Sequence, residues 1–274
     1  MDGSYTLRLY RHLIRHHDLV DFRVAEEETD LFISARRDLS KPARASVRRH
    51  RRALQHYLTR DPLFRGAFVP HPLLPNPPEV VTRMAEGAKK AGVGPMAAVA
   101  GAIAELVGRD LLPFSPDLIV ENGGDIFLST TRPRRVAIFA GRSPFTYRLA
   151  LEITPAETPL GICTSAGSVG PSFSFGRADA VVMVAPDTAL ADAAATAVGN
   201  LVRHPEDIPR ALEKARSIPG LRGGVIIIGD KMGVFGQITL RPLAEMPPVT
   251  AQDDERKTQT EPKDRRQGEE EPKG

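Results

Sequence analysis

Residues 118 to 129 read LIVENGGDIFLS: two apolar runs of strand length held apart by Asn122-Gly123-Gly124-Asp125. Asn-Gly is the strongest short hairpin signal, because a two-residue turn of type I′ needs positive φ at both central positions and glycine reaches that region without a Cβ clash. A hairpin with strands at 118 to 121 and 126 to 129 is therefore expected. Downstream, short apolar runs recur at 135 to 140, 146 to 153, 159 to 163 and 178 to 185, and VIIIG and VFGQITL lie within 225 to 240. Most are continuously apolar rather than alternating, which suits strands covered on both faces.

Helical patterns flank this strand-rich centre. Two helices are expected at about 79 to 91 and 95 to 110, separated by Gly92-Val93-Gly94-Pro95, and the second, PMAAVAGAIAELVG, has so few polar positions that it should be buried. Asp187 reads as the N-cap of a helix running to about 202, and another helix covers about 207 to 217. At the N-terminal end Tyr5, Leu7 and Leu9 alternate, then Val20, Phe22 and Val24, then Leu31, Ile33 and Ala35 after a Glu26-Glu27-Glu28 turn. These predict half-buried strands. Pro62, Pro70, Pro72, Pro75, Pro77 and Pro78 exclude helix interiors and central strands from 62 to 78, leaving a crossing segment or lid. Strands mixed with helix pairs imply an α+β or α/β layered domain rather than strict βα alternation, and the expected fold class is α+β: layered mixed sheets with packed helices. The expected organisation is one domain over 1 to 250, with a hairpin and basic helix at 5 to 60 packed on a core at 79 to 243, followed by a disordered charged tail at 251 to 274.

Hydrophobic content of 41% and charged content of 26% match ordinary folded proteins, so neither disorder nor a membrane class is indicated for the bulk. Apolar runs such as Val181 to Ala185 and Val225 to Ile228 are far shorter than the ~20 residues a membrane span needs. The N-terminus lacks the unbroken apolar stretch of a signal peptide, and Cys163 as the sole cysteine excludes an intrachain disulfide and cysteine-based zinc sites; a cytoplasmic location is expected. The net charge of +3 is unevenly spread: residues 41 to 60 hold Lys41, Arg44, Arg48, Arg49, Arg51, Arg52 and Arg60 and no acid. Val47, Leu54 and Leu58 put an apolar stripe on that helix and make the arginines its wet face; anion or RNA contact is the other reading.

Three stretches carry candidate chemistry. The Gly123-Gly124 turn is either a plain tight turn or one that brings backbone close to a ligand. From Thr164-Ser165-Ala166-Gly167 to Gly176, eight of 13 residues are Gly, Ser or Thr, which supplies N–H and hydroxyl donors with little bulk, as a bound phosphate requires; a mobile surface loop is the alternative. Asp192 and Thr196, spaced i and i+4 with alanines between, share one helix face. A carboxylate and a hydroxyl form a partial shell for a hard cation such as Mg²⁺, or else they serve packing and a hydrogen bond. Gly92-Val93-Gly94-Pro95 follows a helix rather than a strand, so it is no dinucleotide fingerprint, and no P-loop is present. No histidine lies between His71 and His204, so any base in the centre is a carboxylate or comes from the substrate. Cys163 reads as a buried inert thiol more than as a nucleophile.

Taken in order, Gly123-Gly124-Asp125-Ile126, Thr164-Ser165-Ala166-Gly167 and Ala191-Asp192-Ala193-Ala194-Ala195-Thr196 resemble the GGDI turn, TSG turn and A-D-A-x-A-T helix of the ApbE-like flavin transferases. VAGAIAELVG from Val99 is similar to the buried helix that precedes GGDI there, and TSAGSVGPSFSFGRADAV looks closest to a separate branch of that superfamily. The match covers about residues 95 to 230. The resemblance implies cleavage of FAD at its pyrophosphate with Mg²⁺ and movement of FMN onto a protein Ser or Thr. It implies Asp192, Thr196 and the backbone carbonyl near Ala100 as metal ligands, and Gly123, Gly124 and Asp125 with Thr164, Ser165, Ala166 and Gly167 around the flavin nucleotide. The family's H-x-x-D-P-x-T-G segment is replaced here by Gly170-Pro171-Ser172-Phe173-Ser174-Phe175-Gly176, so its His and Asp have no counterpart. A non-catalytic flavin or nucleotide carrier is the first alternative function, and an RNA-binding protein using the basic helix at 41 to 60 is the second. A small nucleotide and an acceptor protein are the expected partners, a homo-oligomer is left open, and neither a membrane nor a nucleic acid is expected.

Overall fold

A computed structural model describes residues 18–167 and 176–243. The expected strand at 5 to 9 and the expected tail at 251 to 274 lie outside these residues. Strands β1 (Val20–Glu26) and β2 (Thr29–Ala35) form the N-terminal hairpin, followed by helices α1 (Ser40–Arg60), α2 (Pro62–Gly66), α3 (Glu79–Ala91) and α4 (Val99–Leu111). Then come β3 (Leu118–Asn122), β4 (Asp125–Ser129), β5 (Arg134–Ala137), β6 (Leu149–Ile153), β7 (Leu160–Ser165) and β8 (Ala180–Ala185). Helices α5 (Thr188–Gly199) and α6 (Ile208–Ser217) lead into β9 (Gly223–Ile228), β10 (Lys231–Gly236) and β11 (Thr239–Pro242).

The fold is α+β, built in three layers. An eight-stranded sheet in the order β1-β2-β3-β4-β7-β8-β9-β10 lies between the helices and a three-stranded sheet, β11-β6-β5. Val120, Phe127, Cys163, Val181, Met183 and Ile226 face the helices, while Leu128, Leu160, Ile162, Val182, Val184 and Val225 pack on the small sheet. This double burial is why the central strands are continuously apolar. Every ladder among the described residues is antiparallel, so the sheets are not mixed as expected. The reason is that β1–β2, β3–β4 and β9–β10 are joined by two-residue turns, and the helices between β2 and β3, and between β8 and β9, return the chain beside the strand it left in the opposite direction.

Three further details depart from expectation. Proline does not exclude helix at Pro62, which opens the short α2 because the first helical position needs no N–H and φ is preset there. VFGQITL is not one strand: Gly236, at φ +77°, turns the chain out of β10 and into β11 of the other sheet. The third strand run ends at Ala137 and the fourth begins at Leu149, with an irregular connection between them.

The basic stretch forms α1 with Val47 and Leu54 buried and Leu58 against the core. Its arginines meet the acids of the β1–β2 turn: Arg44 and Arg48 pair with Glu26, Arg51 with Glu27 and Glu28, and Arg49 with Asp110 of α4. The positive face is largely spent within the fold. No single helix among the described residues is long and apolar enough to cross a membrane.

Candidate functional site

The β3–β4 turn is the one the sequence predicts, with Gly123 at φ +68° and Gly124 at φ +106°. Glu121 closes it, its Oε1 accepting the Gly124 N–H at 2.7 Å. The register Ile126↔Ile162 sets Gly124 opposite Thr164, so this turn and the end of β7 share one end of the large sheet. Thr164 and Ser165 are strand residues rather than loop, because the β7–β8 ladder continues to Ser165↔Val181. Beyond it the Gly167 N–H donates to the Ala178 carbonyl at 2.8 Å. Residues 168 to 175 of the Ser/Gly-rich stretch lie outside the described residues.

Helix α5 begins as expected, Asp187 capping it by accepting the Leu190 N–H at 2.8 Å. One turn on, Asp192 is buried, and its Oδ2 accepts the Gly101 N–H at 2.8 Å, with the Ala100 N–H also bonded to the carboxylate. These amides belong to the first turn of α4, whose unsatisfied donors and dipole both favour an anion. The approach is close because residue 101 is glycine: a Cβ there would stand 2.5 Å from the Thr188 carbonyl oxygen and 2.8 Å from Asp192 Cβ.

Asp125, the first residue of β4, brings a second buried carboxylate to the same place. It is bonded by the Thr164 N–H and faces the Cys163 thiol, which also lies 3.4 Å from the Thr188 carbonyl oxygen. Burial pushes the Asp125 carboxyl well above the usual range, and the charges of Asp192 and Glu121 push the same way. Burial also raises Asp192, against the two amides that favour its ionised form. Cys163 is raised by burial and by both aspartates, so it stays a protonated thiol, in keeping with an inert role.

The structure thus brings together Asp192, Asp125, Ala100, Thr164 and the Gly123-Gly124 turn. Thr196 stands one turn beyond Asp192 and is half-buried. The Ala100 carbonyl accepts the Asn122 side-chain amide at 3.1 Å and retains a second lone pair. Neither Asp125 nor Asp192 forms an ion pair among the described residues. Two buried carboxylates without a cation, plus a carbonyl and a hydroxyl, are an all-oxygen donor set that fits a hard divalent ion. Among the described residues no group of three or more His, Cys, Asp or Glu side chains surrounds a metal position. A cation bound by these residues would need water or substrate phosphate as further ligands. A cavity of about 590 Å³ lies elsewhere, between the C-terminal ends of α3 and α5 and the side of α6, lined by Gly92, Ala197, Leu201 and Lys214 among others.

Glu105 escapes sequence reading altogether. Fully buried on α4, it accepts from Arg83, Arg109 and the Thr188 N–H. The available signal was one acid alone in VAGAIAELVG with arginine four residues on.

Comparison with known proteins places the chain in a family. A family model described as AbpE bacteria matches residues 11–221. A UPF0280 protein of Methanopyrus kandleri is 43% identical over 227 residues, covering 80% of this chain and 91% of the relative. A UPF0280 protein of Methanocella arvoryzae is 43% identical over 194 residues, covering 70% of this chain and 79% of the relative. Among solved structures, the flavin transferase ApbE from Vibrio cholerae aligns with a TM-score of 0.48 at 14% identity, over 79% of this chain and 96% of that one. By the span of the family model and the identity of these relatives, this chain belongs to the AbpE bacteria family and stands among the UPF0280 proteins.

Proposed function

We propose that this protein binds a flavin nucleotide through its phosphates at the end of the large sheet marked by the Gly123-Gly124 turn and Thr164, and cleaves the pyrophosphate of FAD with a divalent cation held by Asp192. Thr196 and the Ala100 carbonyl complete the protein's share of ligands, and Asp125 adds charge beside them. The observation that carries the reading is the pair of buried carboxylates, Asp125 and Asp192, with no Lys or Arg partner among the described residues. Two such anions are costly to bury unless a cation or a shared proton offsets them. A bound divalent ion neutralises phosphate oxygens and orients the scissile bond. The small-residue turns let phosphate oxygens approach backbone N–H groups.

The reaction conserves atoms in either outcome: FAD and water give FMN and AMP, or FAD and a protein hydroxyl give a flavinylated protein and AMP. The test is release of AMP from FAD with Mg²⁺, with chelator, and in Asp192→Asn. Mg²⁺-dependent AMP release that collapses in the variant is the expected result. Equal release with chelator, or no flavin binding at all, refutes the reading. A flavin carrier without turnover is the second reading, favoured by the lack of any His, Asp or Glu in Gly170 to Gly176. Saturable flavin binding untouched by chelator, with no AMP, selects it.

A further inference from the structure

Helices α4 and α5 grip each other at two points of matched spacing. Gly101 and Glu105 lie one turn apart on α4, and Thr188 and Asp192 lie one turn apart on α5. The Gly101 N–H donates to Asp192 Oδ2 at 2.8 Å, and the Thr188 N–H donates to Glu105 Oε2 at 2.7 Å. Each helix thus gives one carboxylate to a first-turn amide of the other, in opposite order along the chain. First-turn amides have no partner within their own helix, so these two bonds use donors that are free to be claimed.

The charge on Glu105 is compensated from two sides. Arg83 Nη1 of α3 bonds its Oε1 at 3.0 Å, and Arg109 of α4 reaches the same oxygen through Nε at 2.8 Å and Nη2 at 2.7 Å. One carboxylate oxygen is held by the guanidinium groups and the other is aimed at the start of α5. Apolar side chains of similar volume often stabilise a buried ionic site as well as the ions do, so stability alone does not account for an acid here. What an apolar side chain cannot supply is a directional acceptor fixed against the α5 amide.

We propose that Glu105 is the positioning residue of the Asp192 centre: by holding the Thr188 N–H it sets the axial register of α5 on α4 and so places the Asp192 carboxylate over the α4 amides beside Asp125. The inference rests on the metal reading of Asp192 given above. Arg83 and Arg109, both bonded to Oε1, fix the side-chain rotation that leaves Oε2 aimed at the Thr188 N–H. Asp187 caps the same end of α5 from within, so the helix start is fixed by one internal and one external carboxylate.

The test measures Mn²⁺ binding by calorimetry and thermal melting by circular dichroism, without substrate, on wild type and four variants. Asp192→Asn is expected to abolish Mn²⁺ binding. Glu105→Met is expected to weaken it at least roughly tenfold at temperatures well below its own melting point, the scale typical of lost outer-shell support. Glu105→Gln keeps an oxygen acceptor for the Thr188 N–H but not the charge, so it melts lower than wild type yet binds Mn²⁺ within roughly threefold of it. Thr188→Pro removes the N–H donor, together with the Thr188 hydroxyl that has no partner among the described residues, at a first helical position that accepts proline, and is expected to weaken Mn²⁺ binding as Glu105→Met does, which gives a second reading if the methionine variant fails to fold. Undiminished Mn²⁺ affinity in folded Glu105→Met or Thr188→Pro overturns the positioning role while leaving the Asp192 centre intact. A Glu105→Gln protein as weak as Glu105→Met overturns it too. Absence of Mn²⁺ binding in the wild type removes the underlying reading, and the positioning role with it.

Discussion

Replacing Gly101 with alanine adds one methyl group where α4 and α5 touch. Its Cβ would stand 2.5 Å from the Thr188 carbonyl oxygen, 2.8 Å from Asp192 Cβ and 3.0 Å from the Thr188 carbonyl carbon. Contacts between such atoms are comfortable only near ~3.5 Å, so the helices must part by roughly half to one ångström. Two effects oppose each other. Alanine favours a helix over glycine by about 0.5–1 kcal/mol, whereas overpacking a tight contact costs about 1–3 kcal/mol. The obstructing atoms are backbone and a Cβ, which no side-chain rotation can move, so overpacking wins. A net loss of about 1–2 kcal/mol lowers Tm by roughly 2–8 °C in a chain of this size. Differential scanning calorimetry measures the loss, and Mn²⁺ titration reads the accompanying shift of Asp192. Gly66→Ala is the control: among the described residues nothing lies within 4 Å of its Cβ, so the same chemical change should leave Tm unchanged or slightly higher. A Gly101→Ala protein that melts with or above wild type and binds Mn²⁺ equally well refutes the close-contact reasoning.

Thr188→Val should raise stability by about 1 kcal/mol in thermal melts, because Thr188 Oγ1 is buried with no hydrogen-bond partner among the described residues and valine keeps the shape without the unmet hydroxyl; a lower Tm contradicts this. Stability should also fall in acid. The Arg134 guanidinium holds Asp18 down at about 2, and although burial pushes Asp117 upward, the Thr131 N–H, Arg36 and the Thr131 and Thr130 hydroxyls outweigh it and hold it well below the usual carboxylate range. Both carboxylates therefore stabilise the fold fully above the unfolded value of about 4, and that contribution fades as pH drops through their lowered values. Asp18→Asn should flatten part of this acid limb, and an unchanged limb excludes Asp18 from it. Asp125 and Asp192 have the opposite sign. Raised in the fold, they make the metal-free protein lose stability as pH climbs from about 4 toward neutrality. Asp125→Asn should diminish that decline in melting curves recorded with chelator, and an identical decline excludes Asp125 as its source.

The features legible in the sequence were those written in local pattern. Asn122-Gly123-Gly124 declares its turn because positive φ at two successive positions leaves few other residues, and Asp187 declares the start of α5 because a cap acts on an amide three residues away. Direction of pairing was not legible. A run such as Ala180–Ala185 is equally apolar in a parallel or an antiparallel sheet once both faces are covered, so mixed sheets were expected where antiparallel ones formed. Thr164 and Ser165 looked like loop because of their hydroxyls, and only β8 alongside keeps them in a strand. At the site, Asp192 stood out by its alanine setting and Asp125 by its turn. Glu105 did not, because its partners Arg83 and Thr188 lie 22 and 83 residues away.

The ion pairs between α1 and the β1–β2 turn bear on the order in which the chain assembles. Arg44 reaches Glu26 across 18 residues and Arg51 reaches Glu27 across 24, whereas Arg36 finds Asp117 only across 81. Closing the longer loop costs about 1 kcal/mol more in chain entropy than closing the shorter ones. The first forty residues of the described chain can therefore hold a helix on a hairpin while the seam between β2 and β3 is still open, giving the rest of the sheet a preformed edge on which to grow.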